Sequence, residues 1–399
     1  MSAAPRRALL ISENAPVPGD RRVWNQSRAL VEAGWSVGVV CAAADDREEA
    51  PTESIDGVEI HRYPLRPATG GADYGREYAQ AVWRIRSLVR EQVASAPPDI
   101  VHTANPPDFL LFAARSARRR GAAFVFDHHD LMPELFRARF RRAGLPYKAL
   151  LAIERRAMGS ADVVISTNQS YARIAVERGG VDPADVFVVR NGPDLTHFTP
   201  VDPDPELRAG RSFLLAYLGM MGPQDGIDQA LLALAALRDR RGEDWKAIFI
   251  GEGPVRPEME AMAGELGIAG SVEFAGWRGD ADIRRILSSA DVCLAPDPPS
   301  PLNDVSTMIK VPEYMAMGVP IASFDLAETR VSAGDAAAYA APSPEGLGAL
   351  IDELLNDPER RAKMSAFAKE RVVELSWQRS SERLLAAYER AVERRASRG

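Results

Sequence analysis

The residues of this chain best placed to do chemistry lie in Asp304–Ala322, which reads Asp-Val-Ser-Thr-Met-Ile-Lys-Val-Pro-Glu-Tyr-Met-Ala-Met-Gly-Val-Pro-Ile-Ala. Pro312 marks a helix start, because the first helical N–H groups have no partner within the helix and a proline there costs nothing. Lys310 and Glu313 then share the first turn, three residues apart on one face. The free N–H groups and positive dipole end suit a phosphate, and Lys310 adds a full positive charge. Glu313 adds an acceptor of the kind that holds ribose hydroxyls. Together these are the ingredients of a nucleotide diphosphate site. The competing reading is an ordinary capped helix with Lys310 and Glu313 as a solvated pair.

Other candidates fall where strand patterns end. Asn14-Ala-Pro-Val-Pro-Gly-Asp-Arg-Arg follows the first strand, and Gly19 sits just before a helix, where bare backbone lets a phosphate approach. A plain Pro-Gly turn explains it equally well, and Arg21 or Arg22 either supplies charge or faces solvent. Asp127-His-His-Asp130 holds two of the five histidines among carboxylates at a strand end. A histidine there acts as a base or bonds a sugar hydroxyl, with its pKa set by neighbours. Asp and His are also metal ligands, but this spacing matches no strong metal motif. His102 either lines the same site or packs. In the second half, Gly219-Met-Met-Gly222 and Gly251-Glu-Gly253 are glycine turns suited to phosphate or ribose, each weak evidence alone. Trp277 and Arg278 either frame a nucleobase or pack against a sheet edge.

These sites need a scaffold. Short β-rich runs alternate with longer helical patterns, which predicts parallel sheets with crossover helices. Strands are expected at Ala8–Ser12, Ser36–Cys41, Val58–Tyr63, Ile100–His102, Phe124–Phe126, Val163–Ser166 and Val186–Val189. A proline-rich acidic stretch, Phe198-Thr-Pro-Val-Asp-Pro-Asp-Pro-Glu206, interrupts them and reads as a linker. The alternation then restarts at Phe213–Tyr217, Ala247–Ile250, Val272–Phe274, Val292–Ala295 and Val319–Ala322. The last ~40 residues read as helix with a break at Ser376-Trp377. The expectation is an α/β protein of two doubly wound domains, residues 1–197 and 206–376, facing across a cleft. Ligands gather beyond the carboxyl ends of such strands.

Bulk properties narrow the function. With 399 residues, two domains are the default. Cys41 and Cys293 are the only cysteines, each in an apolar run, so no disulfide or zinc framework is expected. No signal peptide is legible and no apolar run approaches the ~18 residues of a bilayer span, which predicts a cytoplasmic protein. The net charge of −7 is uneven: residues 1–200 carry 26 Lys+Arg against 24 Asp+Glu, residues 201–399 carry 23 against 32. The basic excess centres on Arg115–Arg120 and Arg137–Arg156. Leu135–Met158 mixes Arg with Leu, Phe, Ile and Tyr, and reads either as a surface for anionic lipid or as a solvated basic face. Nucleic acid is not an expected partner, since the balance is acidic and no binding module is present.

Taken together, the motifs resemble the family 4 retaining glycosyltransferases, which have the GT-B architecture. The resemblance rests on Pro18-Gly-Asp-Arg-Arg-Val, Asp127-His-His-Asp130, Arg190-Asn-Gly-Pro, Gly251-Glu-Gly-Pro, Phe274-Ala-Gly-Trp, Ala290-Asp-Val and Lys310-Val-Pro-Glu-Tyr-Met-Ala-Met-Gly-Val-Pro, in that order along nearly the whole chain. It implies a nucleotide-sugar donor, usually UDP-linked, with Glu313 on the ribose, the Gly19 turn beside the diphosphate and His129 near the transferred sugar. It also implies a final helix, from about Trp377, crossing back to the first domain. Two departures stand out. Val305 occupies the place of the usual first glutamate, leaving Asp304 as the nearest carboxylate to recognise sugar hydroxyls. The turn Met220-Met-Gly-Pro-Gln-Asp225 also lacks the usual Arg and Lys. Lys310 would replace that charge, as in members that build bacterial surface polysaccharides.

The expected activity is metal-independent, retaining sugar transfer, with no cofactor, to a lipid-linked saccharide or a small-molecule acceptor. Lys310, backbone N–H groups around Ser306 and Thr307, and the Gly19 turn would stabilise the leaving diphosphate. A non-catalytic nucleotide-sugar-binding subunit and a sugar-nucleotide epimerase are the rival readings.

Overall fold

The structure, a computed structural model, describes the chain apart from residues 1–4, 14, 45–49, 65–73, 141–143 and 399. Asn14, placed by the sequence in the loop after the first strand, therefore lies outside the described residues. Two compact units emerge: Met1–Arg190 with Ser380–Gly399, and Asn191–Arg379.

The first unit holds an eight-stranded sheet. Its strands are β1 (Arg7–Ile11), β2 (Ser36–Ala42), β3 (Thr52–Ile55), β4 (Val58–Tyr63), β5 (Ile100–Ala104), β6 (Ala123–His128), β7 (Val163–Ser166) and β8 (Val186–Val188). Their order is β3-β4-β2-β1-β5-β6-β7-β8. All pairings are parallel except β3 with β4. β5 and β6 are buried along their whole length, as central strands covered on both faces are; they open on apolar residues, and β6 closes on the buried Asp127 and His128. β3 escaped the sequence reading because Thr-Glu-Ser-Ile is polar and mostly exposed, an edge strand held by one neighbour.

The second unit has six parallel strands: β9 (Phe213–Leu218), β10 (Trp245–Ile250), β11 (Val272–Gly276), β12 (Val292–Ala295), β13 (Ile321–Phe324) and β14 (Ala337–Ala340). Their order is β11-β10-β9-β12-β13-β14. β14 was missed because Ala-Ala-Tyr-Ala carries little β signal; pairing with β13 recruits it. The core beneath is built on Trp245, Phe249, Leu215 and Leu234, all fully buried.

Both sheets reverse strand order beside their first strand, between β1 and β5 and between β9 and β12. Crevices form at such switch points, outside the carboxyl ends of the strands. The sequence supplies the caps that aim helices there. Asp20 accepts from Val23 N (3.1 Å) to start the helix Arg21–Glu32, and Ser12 Oγ at the end of β1 donates to the same carboxylate (3.0 Å).

The proline-rich stretch is not a free tether. Val201 N donates to Ser288 Oγ (3.1 Å), Asp204 N to Ser289 Oγ (2.8 Å) and Arg284 Nε to Thr199 O (2.8 Å), which pins it to the second unit. Proline composition predicted the absence of strand and α-helix, which holds up to a short 3-10 turn at Pro205–Arg208, but not these serine and arginine anchors. The final helix, Trp377–Ser397, packs into the first unit through Tyr388, fully buried, and through Arg390, whose Nε donates to buried Asp185 (2.9 Å).

Candidate functional site

In the second unit, the switch point is filled by a charged cluster. Lys310 opens the helix Lys310–Ala316 and is buried; its Nζ donates to Asp297 Oδ1 (2.7 Å) and lies 4.7 Å from the centre of the Tyr217 ring. Asp297 follows β12 and Tyr217 ends β9, so the ammonium sits between the two strands that flank the order reversal. Burial opposes its charge, but Asp297 and Tyr217 outweigh that and raise its pKa, so the lysine is permanently cationic. Burial pushes Tyr217 up to about 12, keeping the phenol protonated, and its hydroxyl donates to Met220 O (2.8 Å). Asp225 also feels Lys310, though burial raises its pKa on balance. The second oxygen of Asp297 is buried without a protein partner.

Lys310 therefore brings positive charge to the β9 turn that has no basic side chain of its own. It arrives already paired, however. From sequence, Lys310 stands beside Glu313 and Asp304, and neither Asp297 nor Tyr217 is included. Asp297 had one signal, a carboxylate two residues past an apolar strand, Ala295-Pro-Asp297.

Around this cluster the expected site residues have partners within the chain. Ser306 was expected to offer a backbone N–H; that group donates to Asn303 O (3.3 Å), and its hydroxyl donates to Leu302 O (2.8 Å). Thr307 Oγ1 lies 3.5 Å from Glu328 Oε2. Gly222, in the turn read as suited to phosphate or ribose, donates its N–H to Asp225 Oδ2 (2.9 Å). At Gly253 a β-carbon would lie 2.3 Å from Met221 O, so close packing of two turns explains the missing side chain. Asp304 lies half-buried in the turn Asn303–Val305, and Glu313 half-buried in the first turn of its helix. Asn303, absent from the sequence reading, ties the Asp304 turn to the glycine turn by donating to Gln224 O (3.1 Å) and Pro298 O (2.8 Å).

Trp277, just past β11, is 73% exposed and does not pack against the sheet edge. Arg278 Nη1 donates to the Trp277 carbonyl (3.1 Å). An indole held open beside a guanidinium is suited to stacking on a flat ring.

In the first unit the switch point is a buried polar web. Asp127, fully buried, accepts two bonds from Arg22 (2.8 and 2.7 Å) and one from Gln26 (2.8 Å). Burial disfavours its charge, yet Arg22 and His102 hold its carboxyl well below the ordinary range. Arg22 accordingly neither faces solvent nor offers its charge to a ligand; Arg21 is exposed. His102 is fully buried, its Nδ1 2.8 Å from Tyr388 Oη and its Nε2 3.5 Å from Asp127, so it packs rather than lines a site. His128 is likewise buried, 3.3 Å from Glu154. His129 alone of the pair turns out beyond β6 and is only partly covered. Burial, with Arg22, His128 and His102 nearby, outweighs Asp127 and lowers its pKa to about 3. It is a neutral imidazole, a weak base but a competent hydrogen-bond partner, and its Nδ1 has no protein partner. Gly19 is exposed in the turn before Asp20.

The Leu135–Met158 segment forms parts of two helices, Met132–Phe140 and Leu145–Ser160. Glu154, Ala157 and Met158 face inward, while Leu145 is 83% exposed and Lys148, Arg155 and Arg156 are exposed. Among the described residues no helix is long and apolar enough to cross a membrane, and no cluster of three or more His, Cys, Asp or Glu is placed to hold a metal.

Two doubly wound sheets, each with polar and charged groups at its switch point, are the architecture of the GT-B class. Comparison with known proteins specifies the family. Residues 19–192 match the family described as "Glycosyl transferase 4-like domain" and residues 212–357 match "Glycosyl transferases group 1". The chain belongs to the family 4-type glycosyltransferases and is an enzyme acting on nucleotide-sugar donors. It is 24% identical to a D-inositol 3-phosphate glycosyltransferase of Stackebrandtia nassauensis, over 98% of this chain and 93% of that protein. It is 28% identical to a GDP-mannose-dependent alpha-(1-6)-phosphatidylinositol dimannoside mannosyltransferase of Mycobacterium tuberculosis, over 75% of each. In fold it is similar to sucrose-phosphate synthase from Thermosynechococcus elongatus (TM-score 0.77, 18% identity, 96% of this chain and 98% of that one). It is also similar to Anabaena Alr3699/HepE in complex with UDP and glucose (TM-score 0.69, 16% identity, 98% and 100%).

Proposed function

We propose that this enzyme moves a sugar from a nucleotide diphosphate, UDP-linked, to an acceptor hydroxyl with retention of configuration and without a metal or cofactor. The observation that carries the reading is Lys310: a permanent ammonium at the switch point of the second sheet, where leaving-group charge would develop. Donor departure is the hard step, because negative charge grows on the diphosphate oxygen. In this reading Lys310 and the Gly19 turn stabilise it, Glu313 holds the ribose, Trp277 and Arg278 frame the base, and Asp304 selects sugar hydroxyls. His129 bonds the sugar as a neutral imidazole, in keeping with its low pKa. The acceptor is a lipid-linked saccharide or a small molecule. The exposed Leu145, Lys148, Arg155 and Arg156 support peripheral contact with an anionic membrane from the cytoplasmic side.

The test is a donor screen with UDP-glucose, UDP-N-acetylglucosamine, dTDP-glucose and GDP-mannose, the last because a relative's name specifies it. Nucleotide release that survives a chelator, with an axial product linkage by NMR from an axial donor, supports the proposal. An inverted linkage, or release that a chelator abolishes, contradicts it.

A further inference from the structure

We infer that Asn105 is a positioning residue, its amide clamping the turn that presents His129; the role assigned to that histidine rests on the transfer reading above. Asn105 directly follows β5, beside the switch point of the first sheet, and is fully buried. Its Oδ1 accepts from the backbone N–H groups of His129 (2.8 Å) and Asp130 (3.1 Å). Its Nδ2 donates to Asp108 Oδ1 (2.8 Å) and to the Asp130 carbonyl (2.8 Å). Its own backbone N–H donates to Asp127 O (3.1 Å), extending the β5–β6 pairing by one rung.

Every capacity of the amide is thereby used, two acceptances and two donations, and the pattern fixes which atom is oxygen and which nitrogen. No other side chain of this length does the same. Aspartate accepts but cannot donate, and would place a carboxylate against Asp108; serine and alanine lack the reach. The bonded groups decide where the chain turns as it leaves β6. In β6 successive side chains alternate, and His128 points into the core against Glu154. Two consecutive N–H groups converging on one oxygen end that alternation, so His129 leaves the sheet in a fixed direction. The clamp acts on the backbone of the turn, so the side-chain types of Asp127–Asp130 carry no sign of it.

The experiment has two arms on the full chain. The first is amide hydrogen exchange followed by mass spectrometry. In Asn105→Ala the peptide covering residues 128–131 should exchange at least ~10-fold faster, with β9–β14 unchanged; Asn105→Asp, which keeps the accepting oxygen, should retain most of the protection. The second arm is steady-state turnover of UDP-glucose and GDP-mannose. Asn105→Ala should lower kcat by roughly 10- to 100-fold with donor KM within about 3-fold, because a displaced reacting contact costs rate rather than nucleotide binding. In a His129→Ala background the same change should cost no more than about 2-fold, since the clamp acts through that side chain. Unchanged exchange at 128–131 in Asn105→Ala overturns the clamp. Losses that multiply in the double variant overturn its action through His129. If Asn105→Ala does not fold, Asn105→Ser, which lacks the reach, takes its place in both arms, with the same criteria. If the unmodified enzyme turns over neither donor, the donor assignment has failed, and the exchange arm alone judges the clamp.

Discussion

The two switch points solve the same geometric problem with opposite chemistry. At the end of β9 and β12 sits a permanent cation, Lys310, held by Asp297 and faced by Tyr217. At the end of β1, β5 and β6 the charges of Arg22 and Asp127 meet in a bidentate buried pair. Just past β6 stands the neutral imidazole of His129, half-buried. Under the proposed function, the difference follows the division of labour in glycosyl transfer. A diphosphate needs charge opposite it, whereas a sugar needs hydrogen-bonding groups whose charge does not compete. It also shows that a buried ion pair can serve two ends: one locks a scaffold, the other stores a charge near the place it acts.

The sharpest way to break this contrast is to remove a charge from each side. Lys310→Ala should abolish most turnover, by ~100-fold or more, since the leaving diphosphate loses its main counter-charge. It also leaves Asp297 buried and uncompensated, at about 3–5 kcal/mol of stability; adding Asp297→Leu should restore the melting temperature but not the rate. Arg22→Ala should cost a similar ~3–5 kcal/mol in denaturant unfolding, because Asp127 is then unpaired. Its partner change Asp127→Leu should recover stability, whereas activity falls only as far as the His129 turn shifts. Equal kinetic losses on the two sides would erase the distinction drawn here.

Asp108 sharpens the comparison through pH. Burial pushes its carboxyl up to about 7 from an ordinary 3.8, against the opposing pull of His128, the Asn105 amide and Arg178, with Glu154 adding to the rise. Between those values the folded protein holds a proton that the unfolded chain has released, so stability falls as pH rises through that window. Asp108→Asn removes the titration. Relative to the unmodified protein it should gain about 4 kcal/mol between pH 4 and pH 8, read from denaturant midpoints. A flat difference would mean that the carboxyl is not raised.

The smallest effect is expected at Trp277. Being 73% exposed, its replacement by alanine should leave stability within ~0.5 kcal/mol. UDP binding should weaken by roughly 5- to 30-fold through lost stacking, and Trp277→Phe should recover most of it. An unchanged affinity would remove the indole from the site.

Sequence legibility followed the same divide. Apolar runs disclosed the central strands, because strands buried on both faces must be apolar; β3 and β14, a polar edge and an alanine-rich edge, had no such signature. Lys310, Pro312 and Glu313 were legible because a helix start constrains residue types. Asp297, Asn303 and Asn105 were not, since each acts on groups 13 or more residues away: Lys310, Gln224 and His129. Glycine turns proved ambiguous for a physical reason: Gly253 is forced by Met221 packing as firmly as any phosphate could require. Arginine at a helix start was equally ambiguous, and only burial separated Arg22 from Arg21.

The most direct test is calorimetric titration of UDP and of uridine into the unmodified protein and into Lys310→Met with Asp297→Asn, a pair chosen to leave no buried charge unmatched. The account predicts that UDP affinity falls at least ~30-fold in the variant while uridine affinity is unaltered, because only the diphosphate meets the ammonium. Equal UDP affinity in the two proteins would show that this lysine does not grip the donor.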